Sequence, residues 1–259
     1  MANTYVGKVN AQGKVFVKKQ ASVLSKSLLV AGIAFILIFA FSFGLFSFLE
    51  KKYGANVNSN VITILYVISI VCLIATLIMC FVVSTKINKC KLSTIITMIA
   101  LYGIANGICF GLLFYAIQHT NNVHVNMSDI LYCFLITGCV FAVSGIVGTL
   151  LSVKFTLTLG KFLLIATLTF FLVYIILMIV MIFSGLRDST YYLIWGFWGL
   201  LMIGYIMFDF SVIKKSQAFM DVVDSNTQRK FVFMFGFMLL VDLIQLLWVV
   251  IRIFILSRS

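Results

Sequence analysis

Seven stretches of the chain run almost without interruption through Leu, Ile, Val, Phe and Met, while charged residues gather between them. They cover 22–49, 60–84, 92–117, 129–152, 160–184, 190–213 and 231–256. Each reaches the roughly 20 residues with which an α-helix crosses about 30 Å of hydrocarbon. The runs are continuous rather than alternating, which excludes a membrane β-barrel. The pattern predicts an all-α integral membrane protein built as a bundle of seven transmembrane helices. Residues 1–21 form an arm, 22–256 the transmembrane domain, and 257–259 a short tail. The run from Ala21 to Leu49 is too long for the core of a signal peptide, so it is expected to stay in the protein as the first helix.

Composition strengthens this picture. Apolar residues make up 63% of the 259, charged residues only 10%, and Phe occurs 26 times. A soluble domain, with about 45–50% apolar and about 25% charged residues, could not hide so much apolar surface from water. Proline is absent, so any bend has to come from small residues. The candidates are Gly103, Gly107 and Gly111 in the third run and Gly138, Gly145 and Gly148 in the fourth. Close helix packing is the first expectation for such spacing, ahead of a hinge.

The formal charge of +12 is topological in this setting. No polar module is long enough to present a basic face to nucleic acid. Lys8, Lys14, Lys18, Lys19, Lys26, Lys86, Lys89, Lys91, Lys154, Lys161, Lys214, Lys215, Arg229 and Lys230 fall on one side of the seven-span layout. Lys51, Lys52, Arg187, Arg252 and Arg258 fall on the other. The positive-inside rule then expects a multi-pass protein of a plasma-type cell membrane, with a cytoplasmic N-terminus and an external C-terminus. The lipid bilayer is the expected partner, anionic headgroups meeting the basic side.

Few residues carry chemistry. Five of the six cysteines (Cys72, Cys80, Cys109, Cys133 and Cys139, but not Cys90) lie inside apolar runs and read as small hydrophobes. His119 and His124 sit in a polar loop without metal-site spacing. Tyr191, Tyr192, Trp195 and Trp198 resemble an interfacial belt, and Arg252 a snorkelling anchor. Glu50, Asp129, Asp188, Asp221 and Asp224 fall at run ends or in connections, where water or headgroups are expected to solvate them. Asp209, in GYIMFDFSVIKK, and Asp242, near the middle of the last run, do not.

A carboxyl inside a membrane is costly unless it is paired, hydrated or protonated. Facing each other, Asp209 and Asp242 would share a proton and titrate together. Losing that proton would weaken a hydrogen-bonded latch between helices and expose negative charge to a hard cation. The pair is therefore the candidate for proton sensing and for metal attraction, with calcium as a transported or transiently bound ion and no cofactor. The plainer alternatives are a structural hydrogen bond or, for Asp209, a local contact with Lys214 or Lys215. Asn106 and Gly107 in the third run, and Ser144 and Gly145 in the fourth, are supporting polar or hinge candidates.

The segments GYIMFDFSVIKK and LLVDLIQLLWVVIRIF, taken with CFLITGCVFAVSGIVG and the entry FVKKQASVLSKSLLVAGI, resemble in order those of the Bax inhibitor family of membrane proteins, in its bacterial form. The resemblance implies a seven-helix bundle with the last helix central. It also implies that Asp209 and Asp242 are the paired acids that hold a pore closed in a pH-dependent way, with calcium leak across the membrane. Phe210 stands where relatives carry a Thr, and Asn106 where they carry an acid.

The leading expectation is a pH-modulated calcium leak channel or calcium/proton transport protein, for which a monomer suffices and no protein partner is implied. The alternative is a non-transporting scaffold or stress-regulatory membrane protein whose buried acids are structural. Paired helical acids also occur in intramembrane aspartyl proteases, but neither Asp209 nor Asp242 has the glycine-rich neighbour of that chemistry, so no enzyme is expected.

Overall fold

The computed structural model describes residues 7–9, 15–17, 22–54, 63–65, 67–72, 74–76, 78, 91–120, 126–184, 188–220 and 223–258. Its helices are α1 (Val23–Tyr53), α2 (Thr63–Thr76), α3 (Leu92–Thr120), α4 (Met127–Leu150), α5 (Val153–Ser184), α6 (Asp188–Met220) and α7 (Ser225–Arg258). Six of them, all but α2, are long and apolar enough to cross a membrane. The second predicted run is helical at its described residues, while 79–90, with Cys80, Lys86, Lys89 and Cys90, lie outside them. The chain is thus a multi-pass membrane protein built on a helix bundle. The arm adds one departure from all-α, a small antiparallel hairpin of β1 (Gly7–Val9) and β2 (Val15–Val17) in which Lys8 pairs with Phe16.

Helix ends follow ordinary capping chemistry. Ser22 Oγ accepts from Ser25 N at 3.2 Å to start α1. Gly54, at φ 55°, closes that helix with its N–H on Glu50 O. A residue with a Cβ is strained in that left-handed conformation. Lys51 and Lys52 fill the last turn, where cations oppose the helix dipole. The break between α4 and α5 is only Leu151 and Ser152, and Ser152 Oγ accepts Phe155 N at 3.2 Å. Seven of the residues expected to link these helices, 153–159, are therefore helical.

Glycines set how closely the helices approach. A Cβ on Gly107 would stand 2.7 Å from Phe41 Cβ, and one on Gly111 would stand 2.8 Å from Ser42 O, so α3 lies almost backbone to backbone on α1. Gly236 of α7 meets Val30 and Ser27 of α1 in the same way. Ser27 Oγ fastens this contact by donating to Val232 O at 3.0 Å. Gly148 lies against the backbone of Met207, and Gly145 under the ring of Phe210, which seats α4 on α6. Gly138 has open space beside it and takes no part in this packing.

Helix α7 packs against α1, α3, α4 and α6, whereas α5 packs on α6. Leu239, Leu240, Leu247 and Ile251 of α7 are fully buried, as are Ile38 and Phe46 of α1 and Phe110 of α3. Phe134 of α4 gathers Phe35, Phe39 and Phe110 around it, with ring centroids 5.0–6.4 Å away. The opposite extreme is α5, whose Leu157, Leu164, Ile165, Leu168, Phe171 and Leu172 are all exposed to the surrounding lipid.

Candidate functional site

Asp209 and Asp242 belong to neighbouring helices that are tied by a short connection. Helix α6 continues to Met220, beyond the run of 190–213, and α7 starts at Ser225 rather than at 231. Asp224 caps α7, its Oδ2 accepting Asn226 N at 3.2 Å and Thr227 N at 3.0 Å. Hydrogen bonds from the Thr227 side chain and backbone hold the Asp224 carboxyl below the usual carboxylate range.

The two membrane acids come within side-chain hydrogen-bonding reach of each other. Asp242 is buried, with 9% of its surface exposed, and Asp209 is half-buried. Between two carboxyls a hydrogen bond requires one proton. Ile206, Phe210 and Ile213 on α6, with Leu239, Leu243 and Leu246 on α7, are buried along the same helices. Asp242 Oδ2 is buried with no hydrogen-bond partner among the described residues. A buried oxygen left in this way is costly.

The local alternative for Asp209 finds no support in the lysines. Lys214 Nζ donates to Thr149 O at 2.8 Å, and Lys215 Nζ to Ser152 O at 3.0 Å and Ser211 Oγ at 2.7 Å. Thr156 Oγ1 is a further acceptor of Lys215. Both ammonium groups thus serve the α4–α5 corner, where α4 presents its negative dipole end.

The supporting candidates separate. Gly145 lies under Phe210, the residue next to Asp209. Ser144 Oγ donates to Val140 O at 2.7 Å and Asn106 Nδ2 to Tyr102 O at 2.9 Å, each inside its own helix. Gly107 faces α1. The polar bonds of Ser144 and Asn106 thus stay within their own helices, and Gly107 serves a helix contact. At the other end of α7, the Arg252 guanidinium lies 5.5 Å from the Trp195 ring, a cation–π contact that suits an interfacial anchor. Tyr192 OH reaches Leu256 O nearby, whereas Trp198 stacks on Phe170 of α5 at 5.3 Å.

One acid differs from its expected role. Asp129 is buried, with 4% exposure, and its Oδ2 accepts Asn126 N at 2.8 Å as the third residue of α4. It is a helix cap rather than a solvated end group. The signal was present as Asn126-Met127-Ser128-Asp129, a capping-box spacing with Asp in place of Glu. The Ser152, Thr156, Ser211 and Lys215 cluster carried no such local signature, because its members meet only when α4, α5 and α6 pack.

No protein-family model matches the chain, and no curated protein matches it. The functional reading therefore rests on the geometry and on the sequence resemblance.

Proposed function

We propose that the protein is a pH-modulated calcium leak channel or calcium/proton transporter, in which the contact between Asp209 and Asp242 is the latch. The observation that carries this reading is two carboxyls within side-chain hydrogen-bonding reach on neighbouring membrane helices, one of them buried. In this reading the shared proton joins α6 to α7 at low pH. Its loss leaves two negative charges facing each other in a poorly hydrated site, which drives the helices apart and attracts a divalent cation.

Among the described residues no group of three or more His, Cys, Asp or Glu gathers. The pair alone offers at most four carboxylate oxygens, against the roughly six to eight that calcium takes. Water completes the shell, which suits an ion in transit better than a resident one. We also propose membership of the Bax inhibitor family, on the resemblance of the motifs around Asp209 and Asp242 to those of that family. The basic-residue bias supports a cytoplasmic N-terminus and an external C-terminus.

Calcium entry into proteoliposomes at a series of pH values tests the latch. Wild-type flux is expected to rise with pH, on the order of tenfold across the titration, the scale of one hydrogen bond to a charged group. Asp209→Asn and Asp242→Asn keep a donor between the helices without a titratable proton, so both should flatten that rise. Wild-type pH dependence in both variants would sink the latch. Altered folding with unaltered ion passage would favour the scaffold reading instead.

A further inference from the structure

We propose that Lys215 is a positioning residue that holds Asp209 in line with Asp242 by fastening α6 to the α4–α5 corner. Only its consequence for ion passage rests on the latch reading above. The residues flanking Asp209 all lie against glycines of neighbouring helices. Met207 packs on Gly148 and Phe210 on Gly145, both in α4, and Phe208 packs on Gly160 in α5. Such contacts bring α6 close but are non-directional, because a smooth glycine surface lets a neighbouring helix slide or turn. A rotation of α6 by one residue, about 100°, would carry Asp209 away from α7.

Hydrogen bonds supply the missing direction. Lys215 and Ser211 are four residues apart and share one face of α6. Lys215 Nζ is 2.7 Å from Ser211 Oγ and 3.0 Å from Ser152 O, and it also reaches Thr156 Oγ1. Thr156 Oγ1 lies 2.6 Å from Ser211 Oγ, so the two hydroxyls are joined across α5 and α6. Lys214 adds its bond to Thr149 O. These acceptors come from the end of α4, the two-residue corner and the first turn of α5. Together they define the height and rotation of α6 about 9 Å from Asp209 along the helix.

The test measures proximity in the full chain, in lipid nanodiscs and with the native cysteines replaced by Ala. A short bis-methanethiosulfonate reagent cross-links D209C to D242C, and in a separate protein S27C to V232C as a control for α1–α7 packing. Lys215→Met should lower D209C–D242C cross-linking about tenfold, as expected for loss of a charge-assisted hydrogen bond. Lys215→Arg should restore it, and the control should not change. Unchanged D209C–D242C cross-linking in Lys215→Met overturns the proposal. If that variant loses both cross-links, the milder Thr156→Val and Ser211→Ala decide. A fall at D209C–D242C with the control intact supports positioning, and no fall overturns it. Calcium flux indifferent to Asp209→Asn would remove the latch while leaving this result standing.

Discussion

Asp224 and Asp129 illustrate how one residue type serves different ends in this chain. Asp224 is exposed and accepts two backbone N–H groups at the start of α7. Its folded-state carboxyl titrates below the unfolded one, so its stabilising effect is complete above the unfolded value, near 4. That effect is lost as pH falls through the lower folded value. Asp224→Ala should therefore lower the thermal midpoint in detergent at neutral pH, with the gap to wild type closing as pH drops below about 4. A gap that is constant with pH would count against the charged cap. Asp129 looks the same in sequence, at the end of an apolar run, yet it is buried. What separates the two is whether neighbouring helices cover the cap, which local spacing does not record. Asp209 and Asp242 stood out in the sequence for the opposite reason: an acid inside an apolar run demands a partner whatever the fold.

At the scale of whole helices, apolar runs marked where the segments lie because hydrocarbon imposes one length requirement on all of them. Their ends were less legible. Helices α5, α6 and α7 all extend past their apolar runs, since lysines, Gln217 and Ser225–Lys230 continue a helix as readily as they leave a membrane. Gln217 Oε1 even accepts Val23 N at 2.6 Å, tying the extension of α6 to the start of α1. Glycines carried packing information but not their partners. Gly107 and Gly138 differ sharply in the bundle although both sit in glycine-rich helices. Gly107→Ala should destabilise the protein by about 1–3 kcal/mol, because its Cβ would press on Phe41 and Ile38. Gly138→Ala meets nothing and should stabilise by about 0.5–1 kcal/mol through reduced unfolded-state freedom. Denaturation of both variants in matched detergent checks this, and equal effects would contradict the assigned contacts.

Across the whole molecule, the helices divide their attachments unevenly. Tight glycine contacts bind α3 and α7 to α1, and a second set binds α4 and α5 to α6. Asp209 and Asp242 lie between these groups, on α6 and α7. Charge distribution adds an expected orientation, since 14 of the 19 basic residues fall on the side of the N-terminal arm. A C-terminal epitope tag should accordingly be accessible to impermeant reagents on intact cells, and an N-terminal tag should not. The reverse pattern would overturn that orientation. The six long spans among the described residues were legible because they need only hydropathy. The neighbours of each helix were not, since lipid-facing and core-facing residues are equally apolar and periodicity fades in such runs.

Helix α5 leans on α6 along one side and, from Phe162 to Ile179, presents mostly Leu, Ile, Val and Phe on its outer side. Over that outer surface no neighbour among the described residues dictates shape, and only solubility in oil is asked of each side chain. Evolution is free to exchange one greasy residue for another there with little effect on the architecture, while a single unpaired charge would be rejected. In this protein the stretch most tolerant of altered spelling is also the one least tolerant of altered polarity.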